Sequence, residues 1–527
     1  MSVRVRWAGE RAFLAELGSL EEAMAFHARV VADPLGQRDQ IAAARTVLLS
    51  FPTARAARRA AERVAHIDPV PLAAPARRTI EIGVVYDGED LDVVAGLAGL
   101  SRDVVIAAHQ ESEWTAAFGG FAPGFAYLVG GDPRLRVPRR ESPRTSVPAG
   151  SVALAGEFSA VYPRASPGGW RLIGRTDAVL WDVAREDPAL IAPGDRVRFR
   201  AMRAGARIRA AEPARSRAAG AEAAAVTVVD PGLLSLVEDE GRPGHADLGV
   251  TTSGAADAAS ARAAGRLVGN DRGAALIETL GGLVLRAEVA VVVARTGAAA
   301  PARIRRASAD PATDIEAPFC APFLLRPGQE LSLGYPEKGL RSYLAVRGGI
   351  AVPTVLGSRS RDVLGGLGPD PLRAGDALAI GDEIAGAVGD PLPVPSAGTD
   401  PAMLRIRFGP RDDAFAPDEL ARLTQTTWVV GAKSDRVGAR LAPADGGTAL
   451  RAPATELASE GVVAGSLQIP PSGEPVLFGA DHPVTGGYPV IAVVIDADLP
   501  LAAQLRPGER VRFLEIDPES SNSLTVA

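Results

Sequence analysis

The chain has 527 residues, 47% hydrophobic and 23% charged, which is enough apolar material for several cores. Lysine and arginine total 57 against 63 acidic residues, a formal charge of −6, and no basic block interleaves with aromatics. That excludes a nucleic-acid partner, which would require a positive face. The single cysteine, Cys320, excludes an internal disulfide framework and a cysteine-held zinc site. No apolar run long enough to span a bilayer and no signal-like h-region occur, so we expect a soluble, cytoplasmic protein with no membrane partner.

Residues 1–85 alternate strand and helix patterns. VRVRW has the period of a strand. SLEEAMAFHARVVAD reads as a helix with Ser19 as N-cap, and TARAARRAAERVAHI as an amphipathic helix capped by Thr53. AAARTVLLSF and TIEIGVVY read as strands. This order predicts a small N-terminal α/β domain over 1–85. DLDVVAGLAGL and SRDVVIAAH then read as two short helices. From Trp114 onward Pro and Gly punctuate short apolar runs, the texture of β-barrels. We expect one barrel domain over 86–203, a linker at 204–224 where an Ala- and Arg-rich stretch lacks strand alternation, and two further barrels over 225–390 and 400–516. The fold class is mainly β with α/β parts.

An internal repeat supports this division. VPAGSVALAG (147–156) resembles VVAGSLQIPPSG (462–473). SPGGWRLIGRT (166–176) resembles VTGGYPVIAVV (484–494), and IAPGDRVRF (191–199) resembles LRPGERVRF (505–513). The matches keep their order at nearly constant spacing, so residues about 115–200 and 430–515 are expected to share one β fold.

Several chemistries are absent. Neither lysine, Lys338 or Lys433, sits in a Walker A loop or has a methionine neighbour, so there is no phosphate-loop lysine and no covalent biotin site. No G-x-S-x-G elbow or H-E-x-x-H motif occurs, and no metal site is expected. The densest segment begins at Phe118. Phe121, Phe125 and Tyr127 can form an aromatic floor. Pro123 and Gly124 bend the backbone so that its N–H groups can face a ligand. Arg139, Arg140 and Arg144 follow on a proline-stiffened loop, and guanidinium groups bind carboxylate or phosphate in bidentate fashion. In the second half Arg242, the Ser358-Arg359-Ser360 run, and Asp435 with Arg436 lie among glycines and suit anion binding. His109, at the end of a predicted helix, is a candidate acid or base.

Taken together, GF-x-PGF-x-YL, PR-xxx-PR, VPAGSVA, YP-xx-SPGGW-x-LIGRT and PGDRVRF resemble the allophanate hydrolase subunit 1 family. GLLSLVEDEGRPG, SGAAD, LGSRSRD, SDRVG-x-RL, SEGVVAGSLQIPPSGEPV and TGGYP resemble the subunit 2 family. The resemblance implies a fusion of the B and C subunits of bacterial 5-oxoprolinase, related to biotin-dependent carboxyltransferases, with one cyclophilin-like barrel in the first half and two in the second. It implies ATP with Mg²⁺, a small-molecule substrate and a separate A-type subunit as partner; self-association into a homo-oligomer is left open. On that reading Arg144 and Arg175 join His109 in catalysis. Ser151, Gly168, Gly169, Trp170, Gln468, Gly486, Gly487 and Tyr488 join the binding residues. Two departures stand out: His482, at a position expected to vary, and Arg361, where the family commonly has threonine. Carboxyl transfer to a urea-like amide, and non-catalytic inhibition of a kinase, are the rival readings.

Overall fold

The computed structural model describes residues 3–67, 78–140, 144–203, 224–306, 314–395, 398–453 and 457–516. The expected linker therefore lies, apart from Ala224, outside the described residues.

The N-terminal unit is a four-stranded antiparallel sheet in the order Arg4–Trp7, Ala12–Glu16, Thr46–Ser50, Asp39–Ala42. Two helices cover one face. Leu20–Ala32 starts at Ser19, whose hydroxyl accepts from the Glu22 N–H at 3.2 Å. Ala54–Val64 starts at Thr53, which accepts from the Ala56 N–H at 3.2 Å. Both caps satisfy N–H groups that a helix leaves unpaired at its start. Phe13, Ala15, Val47 and Leu49 pack beneath these helices against Phe26, Val30, Ala57 and Ala60. The opposite face, with Ala12, Leu14, Ile41 and Leu48, packs against Ala246 and Val484 from the second half. The sheet is thus buried on both sides.

The strand Thr79–Val84, grouped by its sequence with the N-terminal domain, belongs elsewhere. It pairs in parallel with Arg196–Ala201, from Thr79 opposite Arg196 to Val84 opposite Ala201. The first domain therefore ends before it, and the boundary expected at 85 is too late. Its sheet runs in the order Arg171–Arg175, Ser151–Ala155, Phe158–Val161, Ala126–Val129, Trp114–Gly119, Arg196–Ala201, Thr79–Val84. A bridge between Val85 and Arg175 joins its two ends.

The C-terminal unit repeats this topology. Its closed barrel takes Ala402–Phe408, Val490–Val494, Ser466–Gln468, Val476–Phe478, Gly438–Pro443, Trp428–Val430 and Arg510–Glu515 in turn, and again the first and last strands pair in parallel. Each barrel also carries a two-stranded ribbon: Arg144–Val147 with Ser166–Gly168 in one, Glu460–Gly461 with Thr485–Gly486 in the other. The repeat extends upstream of the matched motifs, to the strands at 79–84 and 402–408. Between the two barrels in sequence, residues 226–380 form a seven-stranded and a five-stranded sheet around one core that includes Val228, Ile277, Leu285, Leu331 and Leu344. The architecture is mostly β, with the cyclophilin-like barrel form expected for it. No helix among the described residues is long and apolar enough to cross a membrane.

Candidate functional site

The motif loops of the two halves meet along one seam. Phe121, held at φ 63°, donates its N–H to Thr485 Oγ1 at 2.9 Å, and Tyr127 places its hydroxyl 3.5 Å from the same oxygen. Arg139 donates from Nη2 to Ser459 Oγ at 3.1 Å. A Cβ on Gly487 would lie 2.3 Å from Arg139 Nη1, and one on Gly486 would lie 2.3 Å from Gln468 Nε2. The two glycines are therefore small for steric reasons: side chains from both halves occupy the space. Gln468 is fixed by donating to the Tyr488 carbonyl at 3.0 Å. Gly168 is constrained in the same way, because a Cβ there would meet the Tyr162 hydroxyl at 2.3 Å. Gly169 accepts the Arg140 N–H at 2.8 Å. Phe121, Arg139, Gly168, Gly169, Gly486, Gly487 and the exposed Tyr488 form the part of this seam that reaches solvent.

The aromatic residues lie deeper than expected. Phe125, Tyr127 and Trp170 are 2%, 4% and 6% exposed and pack edge to face, with centroids 5.1–5.5 Å apart. They form a wall beneath the seam rather than a floor open to a ligand; only Phe121 is half-exposed. Gly124, at φ 77°, turns its N–H toward the Leu248 carbonyl at 3.1 Å, so the Pro123-Gly124 bend docks on the second half instead of presenting a free amide. Ser151 is buried at the start of its strand, opposite Arg175.

The arginines proposed for phosphate already hold carboxylates. Arg144 meets Asp90 at 2.9 and 3.0 Å and Glu89 at 3.0 Å, and Arg140 meets Asp90 at 3.0 Å. Burial alone would raise the Asp90 carboxyl, but Arg144 and the Leu172 N–H hold it below its ordinary range. Arg175 pairs with Asp87 at 2.8 Å on the surface. Three arginines thus fasten the acidic 87–90 loop across the strand Arg171–Arg175, and none presents an uncommitted charge.

His109 is a core residue, which corrects its reading as an acid or base. It is 0% exposed, its Nδ1 is 2.8 Å from the Tyr86 hydroxyl and its Nε2 2.9 Å from Ser159 Oγ. Burial pushes its pKa down to about 3. The repeat explains the position. Trp114 and Trp428 are barrel equivalents, and each donates its indole N–H at 3.0 Å to the carbonyl five residues upstream, His109 in one and Leu423 in the other. Histidine stands where the sister barrel packs a leucine.

In the second half the candidates form internal networks. Asp239 Oδ1 accepts from the Ser358 and Ser360 hydroxyls at 2.6 and 2.5 Å, and Oδ2 from the Arg359 N–H at 2.6 Å. The Arg359 guanidinium meets Glu383 at 3.0 Å. Asp435 shapes a surface turn by accepting from the Val437 N–H at 2.8 Å. Arg436 is buried, bidentate to Asp481 at 2.8 and 2.9 Å, and 2.6 Å from Glu278. Burial would lower its pKa, but the three carboxylates Asp481, Glu238 and Glu278 raise it well above the usual value. Arg242 is 1% exposed and donates to the Val355 and Ser360 carbonyls. Arg436 braces the contact between the 226–380 unit and the C-terminal barrel, whereas the Asp239, Ser358, Ser360 and Arg242 network holds the 226–380 unit together internally. Ser358, Ser360, Arg359 and Arg436 are therefore unavailable to a ligand in this arrangement.

Three residues central to these networks, Thr485, Ser459 and Asp90, are not among those the sequence singles out. Only Thr485 has a local signal, its place directly before the Gly-Gly pair of the repeat. Among the described residues no group of three or more His, Cys, Asp or Glu side chains is arranged to hold a metal ion.

Residues 3–191 match the family model for the carboxyltransferase domain, subdomains C and D, and residues 248–515 match the model for subdomains A and B. The chain belongs to the carboxyltransferase-domain family. It carries both parts of that family's domain in one polypeptide. The carboxyltransferase C–D half is similar to the B-type 5-oxoprolinase subunit of Escherichia coli O157:H7, 51% identical over 128 residues that span 24% of this chain and 59% of that subunit. The A–B half is similar to the C-type 5-oxoprolinase subunit of E. coli K12, 34% identical over 303 residues, 56% of this chain and 92% of that one. These matches support a B–C fusion. The crystal structure of TTHA0988 superposes over 96% of this chain and 99% of its own length with a TM-score of 0.83 and 36% identity.

Proposed function

We propose that this chain is the fused B–C component of an ATP-dependent 5-oxoprolinase, which acts with a separate A-type subunit to open the 5-oxoproline lactam to glutamate. The observation that carries this reading is the seam: Phe121 and Arg139 of the B-like half are bonded to Thr485 and Ser459 of the C-like half. These contacts support a site shared between the two halves, as expected of subunits that work together. The names of the relatives matched by each half support the same substrate.

The lactam is a stable amide, and phosphoryl transfer from ATP would supply the activation its carbonyl needs. The arginines of the 87–90 loop do not fit a ready phosphate cradle, since each is paired with a carboxylate. We place the anionic groups of the substrates where Arg139 and the backbone of Gly486-Gly487 meet, because residues of both halves reach solvent there. Mg²⁺ would arrive on the phosphates; among the described residues no group of three or more His, Cys, Asp or Glu side chains is arranged to hold it. The chain's own part is to orient, through Arg139 and the narrow glycine seam, and to exclude water along the aromatic wall.

The test is turnover by the purified chain mixed with an A-type subunit, with and without 5-oxoproline. Release of ADP and glutamate that depends on 5-oxoproline is expected. The family's carboxyltransferase name favours a second reading, carboxyl transfer from carboxybiotin to an amide; turnover that requires bicarbonate and biotin would establish it instead.

A further inference from the structure

The glycine seam of the C-terminal barrel is docked on the N-terminal α/β unit. The strand Glu460–Gly461 pairs with Thr485–Gly486, with Glu460 opposite Gly486, so its position sets that of the seam. Three contacts hold this strand on the N-terminal sheet. The Ala44 N–H donates to the Ser459 carbonyl at 3.3 Å. A Cβ on Gly461 would lie 2.5 Å from Leu48 Cβ, so the backbone there lies directly on the sheet. The third contact is ionic. Arg411, 8% exposed, donates from Nε to the two oxygens of Glu460 at 3.0 and 2.9 Å and from Nη2 to the same carboxylate. Its Nη1 donates to Glu16 Oε1 at 2.6 Å, and Glu16 Oε2 accepts from Arg6 Nε at 2.7 Å.

The backbone at Arg411 completes the frame. Its N–H donates to the Val490 carbonyl at 3.0 Å, and the Gly409 N–H donates to the Ile491 carbonyl at 3.0 Å. A Cβ on Gly409 would lie 2.9 Å from the Trp7 carbonyl oxygen, so this loop also runs against the first strand of the N-terminal sheet. One residue therefore brackets the segment Gly486–Val490, through Glu460 at one end and directly at the other. A buried ion pair adds little net stability over an apolar pair of the same volume, because both charges lose their water. What the planar guanidinium adds is direction: a bidentate fork fixes the plane and distance of its carboxylate. Arg6, Glu16, Arg411 and Glu460 alternate in sign, so the chain carries that direction from the N-terminal sheet to the strand beside Gly486.

We propose that Arg411 is a positioning residue for the seam: it ties the strand Glu460–Gly461 to Glu16, so that the N-terminal unit sets where Gly486 and Gly487 stand against Arg139. The proposal rests on the reading that the seam binds the anionic groups of the substrates. Arg411 acts through Glu460 and through the Val490 backbone, and a shift of about 1 Å passed to a binding backbone can cost up to about a hundredfold in rate. The N-terminal unit thereby gains a task in the site to which it lends no substrate contact of its own.

The test compares Arg411→Lys, Glu16→Ala and Glu16→Gln in the full chain, at a temperature where circular dichroism shows each to be folded. The control is Arg405→Met, which removes another paired arginine of the same barrel, bonded to Asp498 at 2.6–3.2 Å. Two readouts are taken: steady-state turnover of 5-oxoproline with the A-type subunit, and backbone hydrogen exchange of peptides covering 459–462 and 484–488. Arg411→Lys keeps the charge but loses the fork, and KM should rise about tenfold with kcat within about threefold. Glu16→Ala should raise KM about fivefold, and Glu16→Gln, which keeps an oxygen for Arg411 Nη1, should restore it to within about twofold. Exchange in both peptides should quicken at least about fivefold in Arg411→Lys and Glu16→Ala and stay unchanged in Arg405→Met. Glu16→Ala leaves the Arg411–Glu460 pair in place, so the test stands even if Arg411→Lys does not fold. A lowered kcat with unmoved KM, an unmoved KM in Glu16→Ala, or exchange quickened equally in Arg405→Met overturns the positioning role while the function stands. If the unaltered chain gives no turnover, the function fails, and the exchange pattern alone upholds or overturns the link from Glu16 to the seam.

Discussion

Replacing Arg436 by methionine should separate an internal counter-ion from a ligand-binding arginine. The side chain is 4% exposed and neutralises Asp481 through two contacts of 2.8 and 2.9 Å and Glu278 through one of 2.6 Å. Methionine fills most of the volume but leaves both carboxylates with neutral donors and with Arg341, 3.3 Å from Glu278. Removing one partner of a buried ion pair costs about 3–5 kcal/mol, and Asp481, Glu278 and Glu238, the last 3.5 Å away, all lose Arg436 here. The loss should depend on pH. Burial would raise the Glu278 carboxyl, but Arg436 and Arg341 pull it below its ordinary value. In the intact chain it therefore contributes stability that is present above its unfolded pKa and lost as pH falls. In Arg436→Met the folded carboxyls are raised instead, so stability is lost as pH rises through their new pKa values. Urea unfolding of both proteins, followed by tryptophan fluorescence, should give a deficit at pH 8 larger than at pH 5 by at least about 1 kcal/mol, since each pKa unit is worth about 1.4 kcal/mol. A loss below about 1 kcal/mol, or one equal at both pH values, would refute the counter-ion assignment.

His109→Leu should keep 5-oxoproline turnover at pH 7.5 within about twofold while costing about 1–3 kcal/mol for the stranded Tyr86 and Ser159 hydroxyls. With a folded pKa of about 3, the neutral imidazole contributes stability that is full above about pH 6.5 and falls by about 1.4 kcal/mol per pH unit below it; denaturation at pH 7 and 5 should show this slope reduced in the leucine variant. Gly487→Ala puts a Cβ 2.3 Å from the flexible end of Arg139, so unfolding should shift by less than about 1 kcal/mol while KM rises about tenfold. Gly150→Ala, with φ +78° and the backbone oxygen of Thr176 2.2 Å from the new Cβ, should instead lose more than about 2 kcal/mol of stability. Arg144→Ala and Asp90→Asn should each destabilise, and the double variant should lose at least about 1 kcal/mol less than their sum in a double-mutant cycle.

What can be read in the sequence is local or periodic. The caps at Ser19 and Thr53 are side chains satisfying N–H groups three residues on, and both helices start where those residues place them. The repeat visible in three motifs corresponds to two barrels with one strand order. Ala12–Glu16 does not announce itself as a strand, because a sheet buried on both faces shows no alternation. Thr79–Val84 reads as part of the wrong domain because its partner strand is more than a hundred residues downstream. The site is legible by residue type but not by role. The motif loops do converge, yet whether an arginine is free or spent depends on distant partners. Asp90 precedes Arg144 by 54 residues and Glu278 precedes Arg436 by 158. No local pattern marks such pairs, and an Arg-rich loop beside glycines reads the same whether it awaits an anion or already holds a carboxylate.

The central claim is that one site is assembled from both halves, and turnover of single and double variants across the seam tests it most directly. Arg139→Ala, Ser459→Ala and the combination should be assayed for ADP and glutamate release with the A-type subunit and 5-oxoproline. Each single change should lower kcat/KM, and the double change should be little worse than Arg139→Ala alone, because both break the same 3.1 Å contact. Multiplied losses, or no loss from either residue, would contradict a shared site.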